Sequence, residues 1–161
     1  MLTNTLNLLR TAGKDFGMVV NTPIIFTPGY SELNKPVGIL KAITELGAFQ
    51  SDTFGAEIIP ELSEFDDFVQ VIKGKRGLNA FVHTDLLPRL KEAGITEVVF
   101  AGTVTSLCID SSARSALDSG FKVTILSDCT SSRTVYEQDF YCQEIFPLYA
   151  KVTSALDLMA T

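Results

Sequence analysis

From residue 68 onward the chain alternates short apolar runs with amphipathic ones, and that rhythm restricts the folds open to it. Phe68 to Ile72 reads as a strand, Thr84 or Asp85 caps a helix running to Gly94, and Glu97 to Ala101 reads as a buried strand. Ser106 to Ser119 then reads as a helix stopped by Gly120, and Phe121 to Leu126 as a further strand. Strands joined through helices lie parallel, with the helices packed on both faces of the sheet. The expectation is an α/β fold. Ligands of such sheets sit beyond the carboxyl ends of the strands, which directs attention to the residues after Ile72, Ala101 and Leu126.

The first half is less regular. Leu2, Leu6, Leu9 and Phe16 recur near helical spacing, with Gly13 and Gly17 as stops, so the opening element reads as a helix. Met18–Asn21 and Ile24–Thr27 are short apolar runs around Pro23, which suggests a strand that the proline ends or bends. Between Pro28 and Gly55 the glycines and prolines predict a long loop, a feature usually tied to a task such as covering a site. With no repeat or linker in view, residues 1–161 read as one domain.

Composition narrows the function classes. A hydrophobic fraction of 46% supplies a core and excludes disorder, and three cysteines are too few for a disulfide scaffold. Cys108, Cys129 and Cys142 are expected to be thiols in a cytoplasmic setting. Thirteen basic against nineteen acidic side chains, a net charge of −6, repel phosphate backbones, so nucleic acid is not an expected partner. No stretch approaches the roughly 18 apolar residues of a membrane helix, and the first residues do not resemble a signal peptide, so no membrane partner is expected either. His83 is the only histidine, which leaves no basis for a His-based metal site.

The chemistry-bearing residues gather at the carboxyl ends of the strands. Cys108 falls in the first turn of the helix that follows Val98-Val99-Phe100-Ala101, where free amides and the helix dipole favour a thiolate. The competing reading is a small buried hydrophobe, a common fate of free cysteine. On the other side of that helix Ile109, Ala113, Ala116 and Leu117 are expected to be buried. Lys73, Lys75 and Arg76 follow the strand ending at Ile72, so a lysine there can support a thiolate and an oxyanion, or the run is simply a solvated turn. His83, beside Thr84 and Asp85, is expected to have a surface or capping role, and Cys129 and Cys142 to serve packing.

The segments Lys75-Arg76-Gly77-Leu78-Asn79-Ala80-Phe81, Thr84-Asp85-Leu86, Ala101-Gly102-Thr103-Val104-Thr105-Ser106-Leu107-Cys108, Gly120-Phe121-Lys122-Val123 and Ser127-Asp128 resemble, in order and spacing, the isochorismatase-like cysteine hydrolase superfamily. The similarity reaches upstream through Gly38-Ile39-Leu40 and Phe54-Gly55-Ala56-Glu57-Ile58 and downstream to Ser154-Ala155, so it covers nearly the whole chain. The resemblance implies a three-layer αβα sandwich with a mainly parallel, Rossmann-like sheet. It implies a triad of Asp, Lys and Cys in which Cys108 is the nucleophile and Lys75 the lysine. It also implies a cis peptide bond between Thr103 and Val104 and an oxyanion hole built from the amides of Val104 and Cys108.

In that family the triad carboxylate ends a first strand, central in the sheet, that precedes the first helix. This chain opens directly on the helix, so the N-terminal strand is missing and neither Asp15 nor Asp128 matches the acid's position. The space left lies between the strands at Met18–Asn21 and Glu97–Ala101. Two readings follow: a cysteine-dependent hydrolase of a small amide or related carbonyl compound, working through a thioester, or an impaired member that binds a small molecule or serves assembly. Neither a cofactor nor a metal is expected. A homo-oligomer is, because members of the family commonly assemble, and the apolar residues Phe140, Tyr141, Ile145, Phe146, Leu148 and Tyr149 exceed what one helix face needs.

Overall fold

A computed structural model of the chain describes residues 1–160. Helix α1 (Leu2–Ala12) leads to strand β1 (Val19–Asn21), helix α2 (Gly38–Leu46), strand β2 (Val69–Val71) and helix α3 (Leu86–Glu92). Strand β3 (Glu97–Thr103), helix α4 (Asp110–Asp118) and strand β4 (Lys122–Ser131) follow, then helix α5 (Val135–Phe140), strand β5 (Lys151–Thr153) and helix α6 (Ala155–Met159). Every strand pair is parallel, as crossovers through helices require.

The strands fall into two sheets, β1-β2 and β3-β4-β5. Among the described residues β1 pairs only with β2 and β3 only with β4, so each keeps one open side. The burial follows from this pairing. Val123 to Leu126 in β4, with neighbours on both sides, are buried, whereas the equally apolar Val98, Val99 and Phe100 of β3 are only half-buried.

Alternation along β4 distributes the core to two faces. Val123 and Ile125 join Leu86, Leu90, Ala113, Ala116 and Phe146 on the side of α3 and α4, while Leu126 meets Leu8, Cys129 and Ala155 on the side of α1 and α6. Val20, Val98 and Phe100 lean on the first cluster and Val99 on the second. The layers are helix, sheet, helix. No helix is long and apolar enough to cross a membrane among the described residues.

Three expectations change. The stretch from Pro28 to Gly55 is not all loop: it contains α2, stopped by Gly47 in the left-handed conformation (φ 67°). Glycine and proline punctuation masked this helix, and its apolar face is buried only at Ile43, with Leu46 81% exposed. The helix expected from Ser106 starts as a π-helical turn, Thr105–Ile109, before α4 begins at Asp110. Leu117, expected inside, is exposed, because eight residues beyond Ile109 it has rotated to the rim of the face that Ala113 and Ala116 bury. Among the six C-terminal apolar residues in excess of one helix face, Phe146 is wholly buried, with Tyr141 and Tyr149 packed edge-on against it, while Phe140 is 42% and Leu148 80% exposed.

Gly74, at the exit of β2, has φ +103°, and a Cβ there would come within 2.4 Å of the His83 carbonyl oxygen. Gly74→Ala combines a strained backbone with a backbone clash, so we expect a loss of about 2 kcal/mol. Urea unfolding checks it; an unchanged midpoint would contradict this packing.

Candidate active site

The carboxyl end of β3 is shaped by backbone requirements. Gly102 has φ +122°, a conformation suited to glycine, and the Thr103–Val104 peptide bond that follows is cis. Val104 is extended, and its carbonyl accepts hydrogen bonds from the amides of Leu107 (3.0 Å) and Ile109 (3.2 Å). The second of these spans five residues and defines the widened turn. The Cys108 amide, between the two donors, does not share that carbonyl, and the Val104 amide has no hydrogen-bond acceptor among the described residues. Thr105 and Ile109 are buried, whereas Cys108 is half-exposed. Its position is that of an accessible thiol in the opening of a helical run continuing through α4.

Lys75 comes from the segment after β2. In the run Lys73-Gly74-Lys75-Arg76 the three cations have different environments. Lys73 is exposed, and Arg76 pairs with Glu32 (Nε to Oε1, 2.8 Å) and also donates to the Ile25 carbonyl. Burial raises the Glu32 carboxyl, but hydrogen bonds from the Thr27 amide and hydroxyl, together with Arg76, outweigh it and hold the group below its ordinary value. Lys75 is only 6% exposed, and among the described residues its ammonium forms no ion pair. Its stem is buried while the ammonium keeps contact with solvent, since among the described residues no buried side-chain nitrogen lacks a hydrogen-bond partner. The sequence offered no local signal to separate Lys75 from Lys73; only the family resemblance did.

The Lys75 segment and the Cys108 turn are joined through α4. Two bonds fasten the continuation of the Lys75 loop to the helix directly behind Cys108: Asn79 Nδ2 to Ser115 Oγ (2.5 Å) and the Ala80 amide to Ser112 Oγ (3.0 Å). Ile72, Ala80 and Ile109 share one core cluster. The loop after β2 is therefore fastened to the helix that continues the turn after β3.

The other candidates have different places. His83 is exposed, with φ +60°. Asp128 accepts from the Ala155 amide (2.9 Å) and from Asn4 Nδ2 (3.2 Å), so its carboxylate ties α1 and α6 to β4. Asp15 is exposed beyond α1. Cys129 is fully buried, and that burial pushes its thiol above the ordinary range. Burial, with Asp139 nearby, does the same to Cys142. Among the described residues no cluster of three or more His, Cys, Asp or Glu is arranged to hold a metal ion.

Sequence reasoning missed the contribution of α5. Thr105 Oγ1 donates to Gln138 Oε1 and Ser106 Oγ to Glu137 Oε1, both at 2.6 Å. The partners are more than thirty positions apart, and no periodicity or motif links them.

A model of the Isochorismatase domain matches residues 1–157. Over 90 residues the chain is 32% identical to maleamate amidohydrolase of Pseudomonas putida, covering 56% of this chain and 42% of that protein. Over 126 residues it is 28% identical to nicotinamidase 3 of Arabidopsis thaliana, covering 78% and 63%. The crystal structure of an isochorismatase-like hydrolase from Alkaliphilus metalliredigens has a TM-score of 0.74 at 28% identity, over 89% of this chain and 72% of that one. The chain spans about half the length of the curated relatives it matches. With the parallel strands, the turn after β3 and a family match over nearly its full length, the chain belongs to the isochorismatase family of hydrolases.

Proposed function

We propose that the protein is a cysteine-dependent hydrolase of a small carboxamide or related carbonyl compound. The supporting observation is the half-exposed Cys108 after the cis Thr103–Val104 bond, beside a Val104 amide with no acceptor among the described residues, with the buried Lys75 on the loop bonded to α4. Similarity to an amidohydrolase and a nicotinamidase supports the substrate class.

In this reading the Cys108 thiolate attacks the substrate carbonyl carbon, forming a C–S bond while the carbonyl π electrons move to oxygen. The oxyanion rests on the amides of Val104 and Cys108. As it collapses the C–N bond breaks, the departing nitrogen takes a proton from solvent water, and a thioester remains on Cys108. Water then adds to the thioester and gives one proton to solvent, replacing the one the nitrogen took; the C–S bond breaks, and the carboxylic acid leaves as the thiolate is restored. Lys75 supplies positive charge to the thiolate and the oxyanion.

A second reading is favoured by one observation. Because Lys75 has no ion-pair partner among the described residues, no carboxylate in them occupies the acid's place in the triad. That reading is a member that binds its ligand and turns it over poorly. Both readings retain a reactive Cys108, which a limiting dose of iodoacetamide tests. Cys108 should be alkylated ahead of Cys129 and Cys142, whose thiols are disfavoured as thiolates by burial. Peptide mass spectrometry reports the order, and labelling of Cys142 first would overturn the assignment.

A further inference from the structure

Helix α5 contributes no buried residue, and Val135 and Tyr136 on it are 77% and 78% exposed. Its two half-buried side chains, Glu137 and Gln138, are consecutive, and both reach the turn that carries Cys108. The core anchors of this run, Tyr141, Cys142 and Phe146, follow α5, whereas the contacts of Glu137 and Gln138 within it are polar and their target is specific. Gln138 Nε2 donates to the Ser127 carbonyl and Thr130 Oγ1, both at 3.1 Å, and to Cys142 Sγ at 3.3 Å. Those acceptors fix the orientation of the amide, so Oε1 must face the Thr105 hydroxyl. Thr105 is completely buried, and Gln138 is the partner its hydroxyl has. Glu137 is fixed in the same manner. Its carboxylate takes two side-chain bonds from Arg133 (2.7 and 3.1 Å) besides the one from Ser106, and these partners push it down to about 2.

We infer that Gln138, assisted by Glu137, is a positioning residue that fixes the Thr105–Ser106 end of the turn and thereby aims the Cys108 sulfur. The inference rests on the reading of Cys108 as the nucleophile. The turn needs such an anchor because two of its amides converge on one carbonyl, that of Val104, instead of forming a regular ladder. A displacement of a reacting group by about 1 Å costs up to about 100-fold in rate.

The test uses the whole chain and measures the rate of Cys108 alkylation by iodoacetamide against N-acetylcysteine in the same tube. Thr105→Val and Gln138→Leu should each slow Cys108 at least about tenfold, whereas Thr105→Ser, which keeps the hydroxyl, should stay within about twofold of the parent. The double variant Thr105→Val with Gln138→Leu should be no slower than the slower single one, because both remove the same bond. Parental rates in Thr105→Val, or an equal loss in Thr105→Ser, would overturn the inference. Should circular dichroism show that the Thr105 and Gln138 variants do not fold, Ser106→Ala tests the second tether: slowed alkylation supports the inference and an unchanged rate overturns it. A parent whose Cys108 reacts no faster than N-acetylcysteine would instead refute the nucleophile reading, so the two failures are distinguishable.

Discussion

A version of this chain extended ahead of Met1 by a strand ending in aspartate should release ammonia from small carboxamides at least about 100-fold faster than the 161-residue chain itself. Amide nitrogen is a poor leaving group until it is protonated. Thiolate attack alone therefore returns to substrate more often than it proceeds, and a positioned acid–base group contributes typically 10²–10⁴-fold. Among the described residues Lys75 is buried without an ion-pair partner, and β1 and β3 each have an unpaired side on which a further parallel strand can lie. An aspartate at the carboxyl end of such a strand would arrive at the same end of the sheet as Lys75 and Cys108. Ammonia release from a panel that includes maleamate and nicotinamide measures the effect, and Cys108→Ala in the extended chain should abolish it. Turnover near 10 s⁻¹ by the short chain would mean that another residue supplies the proton.

The largest stability effect is expected at Phe146. Its ring is wholly buried, contacts Tyr141 (centroids 5.6 Å apart) and Tyr149 (6.0 Å), and closes the core cluster that holds Ile125 and Ala113. Phe146→Ala should cost about 3–5 kcal/mol, a large part of the roughly 5–15 kcal/mol by which a domain is stable. Leu148, two residues on and 80% exposed, should tolerate alanine with a change within about 0.5 kcal/mol. Denaturant unfolding of both variants is the check. Similar losses would show that the segment is packed differently.

The contrast between Phe146 and Leu148 illustrates what the sequence could reveal. Strands β3 and β4 were legible because each is a short apolar run bounded by turn residues, a pattern that depends on neighbours in the chain. The left-handed glycines at positions 94 and 120 marked the helix ends for the same reason. Which of six apolar residues near the C-terminus face inward depends on how a π-helical segment, Tyr141–Ile145, turns them, and composition carries no trace of that. The site divides in the same way. The place of Cys108 after β3 followed from local order, whereas Lys75 was singled out as a candidate by family likeness alone. The bonds from α5 to Thr105 and Ser106 join elements distant in sequence, and Asp110, which accepts from the Tyr149 hydroxyl at 2.8 Å, is another such link. Folding creates these pairs, and no local pattern announces them.

The central claim is that Cys108 attacks a carbonyl carbon and retains the acyl group as a thioester. An activated ester tests it without any proton donor for the leaving group, because p-nitrophenolate leaves without protonation. Incubated with p-nitrophenyl acetate and quenched in acid, the 161-residue chain should carry one acetyl group, mapped to Cys108, removed by neutral hydroxylamine and absent from Cys108→Ala. Acetylation confined to Lys75 or another lysine, resistant to hydroxylamine, or an undiminished acetyl group in the alanine variant, would contradict it.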